Sequence, residues 1–242
     1  MKLAIFDFDG TLFPEETVPY IWKHYGRLGY SKVRQGKIFL QMMFLFAQYK
    51  INKNSVMSKE QFRGRATEII LTLFEGMTET EVSEFFKILN VNVLKDIDAE
   101  VKVYIEKHKA EGFTLVLLSG GYMPLLEPVG SKLGMDHVIG TQLNYKTENG
   151  KKIIQPFEPV HIITGENKIK ALLEVYGDKD VDWQASYAYA DSVYDRDVLE
   201  KVGNPVAVNP DRGLQKISLD KNWTILKTKA GAKLDKKIIS TK

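Results

Sequence analysis

Two aspartates stand two residues apart where an apolar run ends: Asp7 and Asp9 follow Leu3, Ala4, Ile5 and Phe6, and Gly10 comes next. In extended backbone, side chains at i and i+2 leave on the same side, so both carboxylates crowd one small volume while Phe8 points away. Like charges that close are costly unless a cation lies between them or one carries a proton. A hard divalent ion with oxygen ligands, Mg²⁺ foremost, resolves the repulsion and gathers further carboxylates from neighbouring strand ends. Asp191 closes the run 186–190 and is such a carboxylate. Asp195 follows at a spacing of four and shares its face if a helix begins there. Taken singly each acid reads as a surface or capping residue, as Asp197 does; together at strand ends they point to a metal site.

What the acids lack is a place for an anion. Ser119, Gly120 and Gly121, between a strand and a helix, offer a hydroxyl and backbone N–H groups that suit a phosphate oxygen. Lys168 lies near the start of a helix opened by Gly165, Glu166 and Asn167, where a cation reaches a phosphate from the other side. Each alone is weak: one is usually a turn, the other one solvated lysine among many. His24, His108, His137 and His161 are isolated and read as structural or surface residues, and no Ser/His/Asp triad is visible by spacing.

The elements that must position these residues are four buried runs, 2–6, 113–118, 186–190 and 205–208, each with polar or glycine residues at its carboxyl end. Helical stretches at 94–111, 122–134 and 166–177 separate them. That alternation predicts an α/β fold, a parallel sheet with helices on both faces whose ligands bind beyond the strands' carboxyl ends. Residues 15–90 break the rhythm as three or four helices, an insertion. Within it, 38–49 is apolar nearly all round yet too short to span a bilayer. It reads first as a buried helix of the inserted bundle, with a homodimer interface or a lid over an apolar substrate as the other readings. Around Asn149 and Gly150 the chain reads as a hairpin.

The sequence of 242 residues is 44% hydrophobic and 27% charged, which excludes a disordered chain. It has no cysteine, which removes thiol catalysis and thiolate metal sites and fits a reducing compartment. With no export signal visible at Met1, a cytoplasmic protein is expected. The net charge of +3 hides a basic tail, 227–242, with six lysines against Asp235, so the body is slightly acidic and no nucleic-acid partner is expected. The tail itself reads as a solvated, flexible end.

In order and context, Asp7-Phe8-Asp9-Gly10-Thr11-Leu12, Ser119-Gly120-Gly121, Lys168, and Asp191 with Asp195 resemble the four motifs of the haloacid dehalogenase superfamily. The insertion after the first motif is similar to that of the phosphoserine-phosphatase-like branch. The resemblance implies a Rossmann-like core (1–14 and 91–242) and a helical cap (15–90). It implies a phosphatase for a small phosphorylated metabolite, with Asp7 as nucleophile and Asp9 as acid and base. Asp7, the Asp9 carbonyl and Asp191 would hold Mg²⁺, Asp195 would order its water shell or the lysine, and Ser119, Gly120 and Lys168 would bind phosphate. By the same resemblance the cap chooses the substrate: Glu16 stands where a carboxylate would meet an amine, and Arg63 or Arg65 would clamp a carboxylate. A plainer reading makes both arginines helix-surface residues. A phosphotransferase of the same family, or a phospho-accepting receiver-like protein, are the alternatives. A receiver needs neither Asp9 nor a cap.

Overall fold

The computed structural model describes residues 1–51, 58–156 and 161–232. Strand β1 (Leu3–Phe6) is followed by α1 (Thr17–Arg27), α2 (Lys32–Ile51), α3 (Lys59–Leu71) and α4 (Glu79–Val93). Then follow α5 (Ala99–Ala110), β2 (Thr114–Tyr122), α6 (Met123–Leu133), β3 (His137–Thr141), the pair β4 (Tyr145–Glu148) and β5 (Lys151–Ile154), and α7 (Glu166–Tyr176). The chain closes with β6 (Tyr187–Ala190), α8 (Arg196–Lys201), β7 (Asn204–Val208), α9 (Arg212–Asp220) and β8 (Thr224–Leu226).

Six strands form one parallel sheet in the order β3-β2-β1-β6-β7-β8. The chain winds outward from β1 through β2 to β3, then crosses back to β6 on the other side. The carboxyl end of β1 is therefore the switch point where such sheets open a crevice. Period-two alternation divides β1 between two cores: Ala4 and Phe6 face the one that runs on into the inserted helices, Leu3 and Ile5 the one under α7 and α8.

The insert's helices carry their own start signals. Ser58 and Thr78 each form a reciprocal capping box, with Gln61 and Glu81 respectively, fixing where α3 and α4 begin. Inside, Tyr25, Phe74, Phe85 and Phe86 pack edge to face in a fully buried cluster. The β4–β5 hairpin turns through Asn149 and Gly150, both at positive φ, and Ile154 donates to the Met77 carbonyl at 3.0 Å, tying the hairpin to the insert.

Two expectations need correction. Ser119-Gly120-Gly121 is not a turn ahead of a helix: it lies inside β2, which shifts register against β3 between Leu118 and Tyr122 before α6 starts at Met123. The shift is a local irregularity that re-aims side chains without ending the strand. The 38–49 helix is not buried all round, because Phe39, Leu40, Met43, Phe44 and Phe46 lie in solvent while Ile38 and Leu45 are sequestered. Of the basic tail, 233–242 lies outside the described residues, and in the part before it Thr228 exchanges hydrogen bonds with Asn209.

Candidate active site

Asp7 leaves the end of β1 and Asp191 the end of β6, the strand hydrogen-bonded beside it, so two adjacent strand ends deliver two carboxylates to one point. One short turn of 3-10 helix after Asp191, capped by Ser192, brings Asp195 back to them. Ligand oxygens of Asp7, Asp191 and Asp195 all lie within 4.8 Å of one another. Lys168, in the first turn of α7, reaches down to them: its Nζ donates to Asp7 Oδ1 at 2.7 Å and makes a second, short contact to Asp195 Oδ1. The ammonium is buried, as are both of its partners. Gly10 makes room for this packing. It sits at φ +74°, and a Cβ there would lie 2.4 Å from an oxygen of Asp191. Gly10→Ala is expected to displace Asp191 and lower any metal affinity at least about tenfold, read by titration calorimetry with Mg²⁺.

One lysine does not balance three carboxylates, and the titration of the site reflects this. Burial, then the charges of Asp7 and Asp195, push Asp191 well above the ordinary carboxylate range. Burial raises Asp195 to about 6 even though Lys168 pulls the other way. Burial also disfavours the charge on Lys168, but Asp195 and Asp7 outweigh it and hold the ammonium above its usual range. The stability consequence has a definite sign. A carboxyl whose folded pKa is raised stabilises the fold fully below its unfolded value, near 3.8, and loses that contribution as pH rises through the folded value. In EDTA, Asp191→Asn should therefore raise the thermal midpoint above wild type at about pH 7.5, the gain shrinking to nothing near pH 4. A gain that did not vary with pH would contradict the account.

Asp9 is held apart from this cluster. Both its carboxylate oxygens are taken by Thr17, the first residue of α1: the Thr17 backbone N–H donates at 3.1 Å, and its hydroxyl makes a short contact to the other oxygen. Burial and the nearby Glu16 carboxylate raise Asp9 to about 7, against the lowering effect of the Thr17 bonds. The i, i+2 rule thus puts Asp7 and Asp9 on one side but not on one point. Thr17 carries no motif; the signal available was only that the helix predicted after Glu15 must start beside the acids.

Above these groups lies a cavity of about 300 Å³. Asp7, Asp9, Ser119, Gly120, Lys168 and Asp195 form one wall. The opposite wall is the insert's: Glu16 and Arg63 joined at 3.1 Å, with Met42, Phe62, Val18 and Pro19. Ser119 is buried and its Oγ accepts from the Gly121 N–H at 3.1 Å. Gly120 passes close under the Ile163 carbonyl, where a Cβ would stand 3.1 Å away. Arg63 is accordingly not a plain surface residue. Burial opposes its charge, but Glu16 and the site's aspartates outweigh that and hold the guanidinium firmly protonated. Arg65 is the one that does not belong: two residues further along α3 it projects away, exposed, beside Glu68 and the outer side of α2. None of the four histidines lines the cavity; His108 is buried elsewhere, its Nε2 2.7 Å from the Tyr189 hydroxyl.

Comparison with known proteins agrees with this architecture. The chain is 35% identical over 127 residues to an inhibition of morphological differentiation protein of Streptomyces azureus, a match covering 52% of this chain and only 44% of that one, so the chain spans less than half the length of this relative. It is 25% identical over 232 residues to a histidinol-phosphatase of Neisseria meningitidis, covering 94% of this chain and 99% of that one. Among solved structures, a substrate-bound phosphoserine phosphatase superposes with a TM-score of 0.59 at 18% identity, over 93% of this chain and 92% of its own, a likeness of fold. The model of the haloacid dehalogenase-like hydrolases matches residues 4–200, from the first strand of the sheet to the helix after Asp195. The chain belongs to the haloacid dehalogenase-like hydrolase family.

Proposed function

We propose that this protein is a Mg²⁺-dependent phosphomonoesterase that acts on a small phosphorylated metabolite through an aspartyl-phosphate on Asp7. The observation that carries the reading is the buried Lys168 ammonium, 2.7 Å from Asp7 and also bonded to Asp195, in the same cavity lining as Ser119. A cation fixed against a nucleophilic carboxylate is what a phosphate dianion needs in order to approach an anion. The relatives named as phosphatases support the same activity.

The donor set fits a hard divalent ion: three carboxylates within 4.8 Å, bonded among the described residues by one buried lysine. Asp7, Asp191 and the Asp9 carbonyl would hold it, while Asp195 holds Lys168. When bound, the ion supplies charge that offsets the repulsion between the phosphate and Asp7.

In the first half-reaction an oxygen of Asp7 attacks phosphorus, the bond to the leaving oxygen breaks, and Asp9 gives that oxygen a proton. Lys168 Nζ and Ser119 Oγ hold the phosphoryl oxygens as charge shifts among them. In the second, water attacks the phosphorus, Asp9 accepts its proton, and phosphate departs with Asp7 restored. Thr17 aims Asp9 through both oxygens, which ties the acid to the first helix of the insert.

The insert, residues 15–90, acts in this reading as the cap that selects the leaving group, over a core of 1–14 and 91–242. Its wall is mostly apolar with one ion pair, and about 300 Å³ admits a metabolite but not a folded phosphoprotein. Since Glu16 and Arg63 already satisfy each other, a zwitterion such as phosphoserine would have to separate them. Arg63→Ala is expected to raise KM for the best substrate about tenfold or more while leaving kcat for p-nitrophenyl phosphate within about twofold, and Arg65→Ala to change neither. The test of the function is phosphate release from a panel of phosphomonoesters with Mg²⁺ and with EDTA. Metal-dependent release supports it; no release from any member, with stable phosphorylation by a small phosphodonor, would favour a receiver-like protein.

A further inference from the structure

Helix α2 carries an apolar face that nothing among the described residues covers. Leu40 and Phe44 are 66% and 67% exposed and lie one turn apart, with Met43 beside them at 54%. Val33, 85% exposed, extends the line toward the amino end, and Phe39 and Phe46 flank it. The other side of α2 is fully used: Ile38 and Leu45 are buried and Met42 lines the cavity. A helix stripe of this size in solvent marks an interaction surface.

The charge around the stripe says what it meets. From Thr17 to Lys59 the sequence contains no Asp or Glu and eight Lys or Arg, in a chain whose totals are nearly balanced at 34 and 31. On α2 itself Lys32 and Lys37 are exposed near one end and Lys50 at the other, so cations bracket the apolar residues along the axis. Glu68 and Glu75, of α3 and the turn after it, share the grooves along α2 with Arg65 and with Arg34 and Lys37. Two copies meeting through this face would set these lysines against each other, because a two-fold interface apposes the same patch to itself. An anionic bilayer complements both features: the aromatic and aliphatic side chains enter the headgroup boundary, and the lysines reach lipid phosphates. Among the described residues no helix is long and apolar enough to cross a membrane, so the contact is with the surface.

We propose that α2 docks this protein on an anionic lipid surface through Leu40, Met43 and Phe44, with Lys32, Lys37 and Lys50 as its electrostatic rim. The inference is independent of the phosphatase reading. Its test is cosedimentation of the full chain with vesicles of phosphatidylcholine alone and with added phosphatidylglycerol, comparing wild type with Leu40→Gln/Phe44→Gln. That variant keeps every lysine, including those of the carboxyl-terminal segment, and alters only exposed positions. The expected result is binding to the anionic vesicles, at least about tenfold weaker to neutral ones and about tenfold weaker again in the variant, with unchanged circular dichroism. Absence of binding overturns the proposal, as does binding that the variant retains in full, which would assign it to lysines alone. A concentration-dependent dimer in sedimentation velocity that the variant dissolves would also overturn it, in favour of a second copy of this chain.

Discussion

Asp7→Asn should lower kcat/KM by about 10⁴-fold or more for every phosphomonoester the protein hydrolyses, because it replaces the attacking carboxylate, which would also hold the metal, with a poorly nucleophilic amide. The substitution is isosteric and leaves Lys168 bonded to Asp195. It also takes one charge from a buried group of three carboxylates. The fold should therefore survive, with a thermal midpoint in EDTA no lower than wild type. That pairing of lost turnover with retained stability separates a chemical role from a structural one. Parallel losses of activity and midpoint would assign Asp7 to the scaffold.

Lys168→Met should have the opposite signature. The methionine fills the lysine's volume, but Asp7 and Asp195 then face each other and Asp191 without the ammonium between them, leaving Arg63, which is paired with Glu16, as the cation acting on them. Breaking a buried pair by removing one partner typically costs about 3–5 kcal/mol, so in EDTA near neutral pH the variant should unfold at markedly lower urea. The loss should shrink toward pH 5, where the raised carboxyls take up protons instead, and should be partly reversed by Mg²⁺. Activity should fall by about 10³-fold even with saturating metal, since the phosphoryl group loses its fixed cation. A variant as stable as wild type in EDTA at neutral pH would show that the site does not carry the charge imbalance described here.

Much of this was legible in the residues. Asp7, Asp9, Asp191 and Asp195 are readable because strand ends in a parallel sheet converge, so acids far apart in sequence fall together once the strands are found. Lys168 and Ser119 follow from the need for charge and donors opposite the acids. Strands β3 and β8 are not legible: one carries Gly140 and an exposed His137, the other is three residues at the sheet's edge, and neither forms an apolar run. The choice between Arg63 and Arg65 is likewise invisible, because it depends on how α3 is rotated over the cavity, and that is set by packing against α1 and α2. The composition of 38–49 misleads for a related reason. An apolar helix is buried only where partners exist on every side, and among the described residues α2 has them on one side alone.

The most direct test of the central claim is to look for the covalent intermediate. The protein is mixed with its best substrate and Mg²⁺, quenched within the first turnover, reduced with borohydride and digested. An aspartyl-phosphate is converted to homoserine by this treatment, so the account predicts a homoserine at position 7, absent without substrate and absent in Asp7→Asn. Turnover of the same sample with an unmodified Asp7, or with the mark at Asp9 or Asp191, would contradict it.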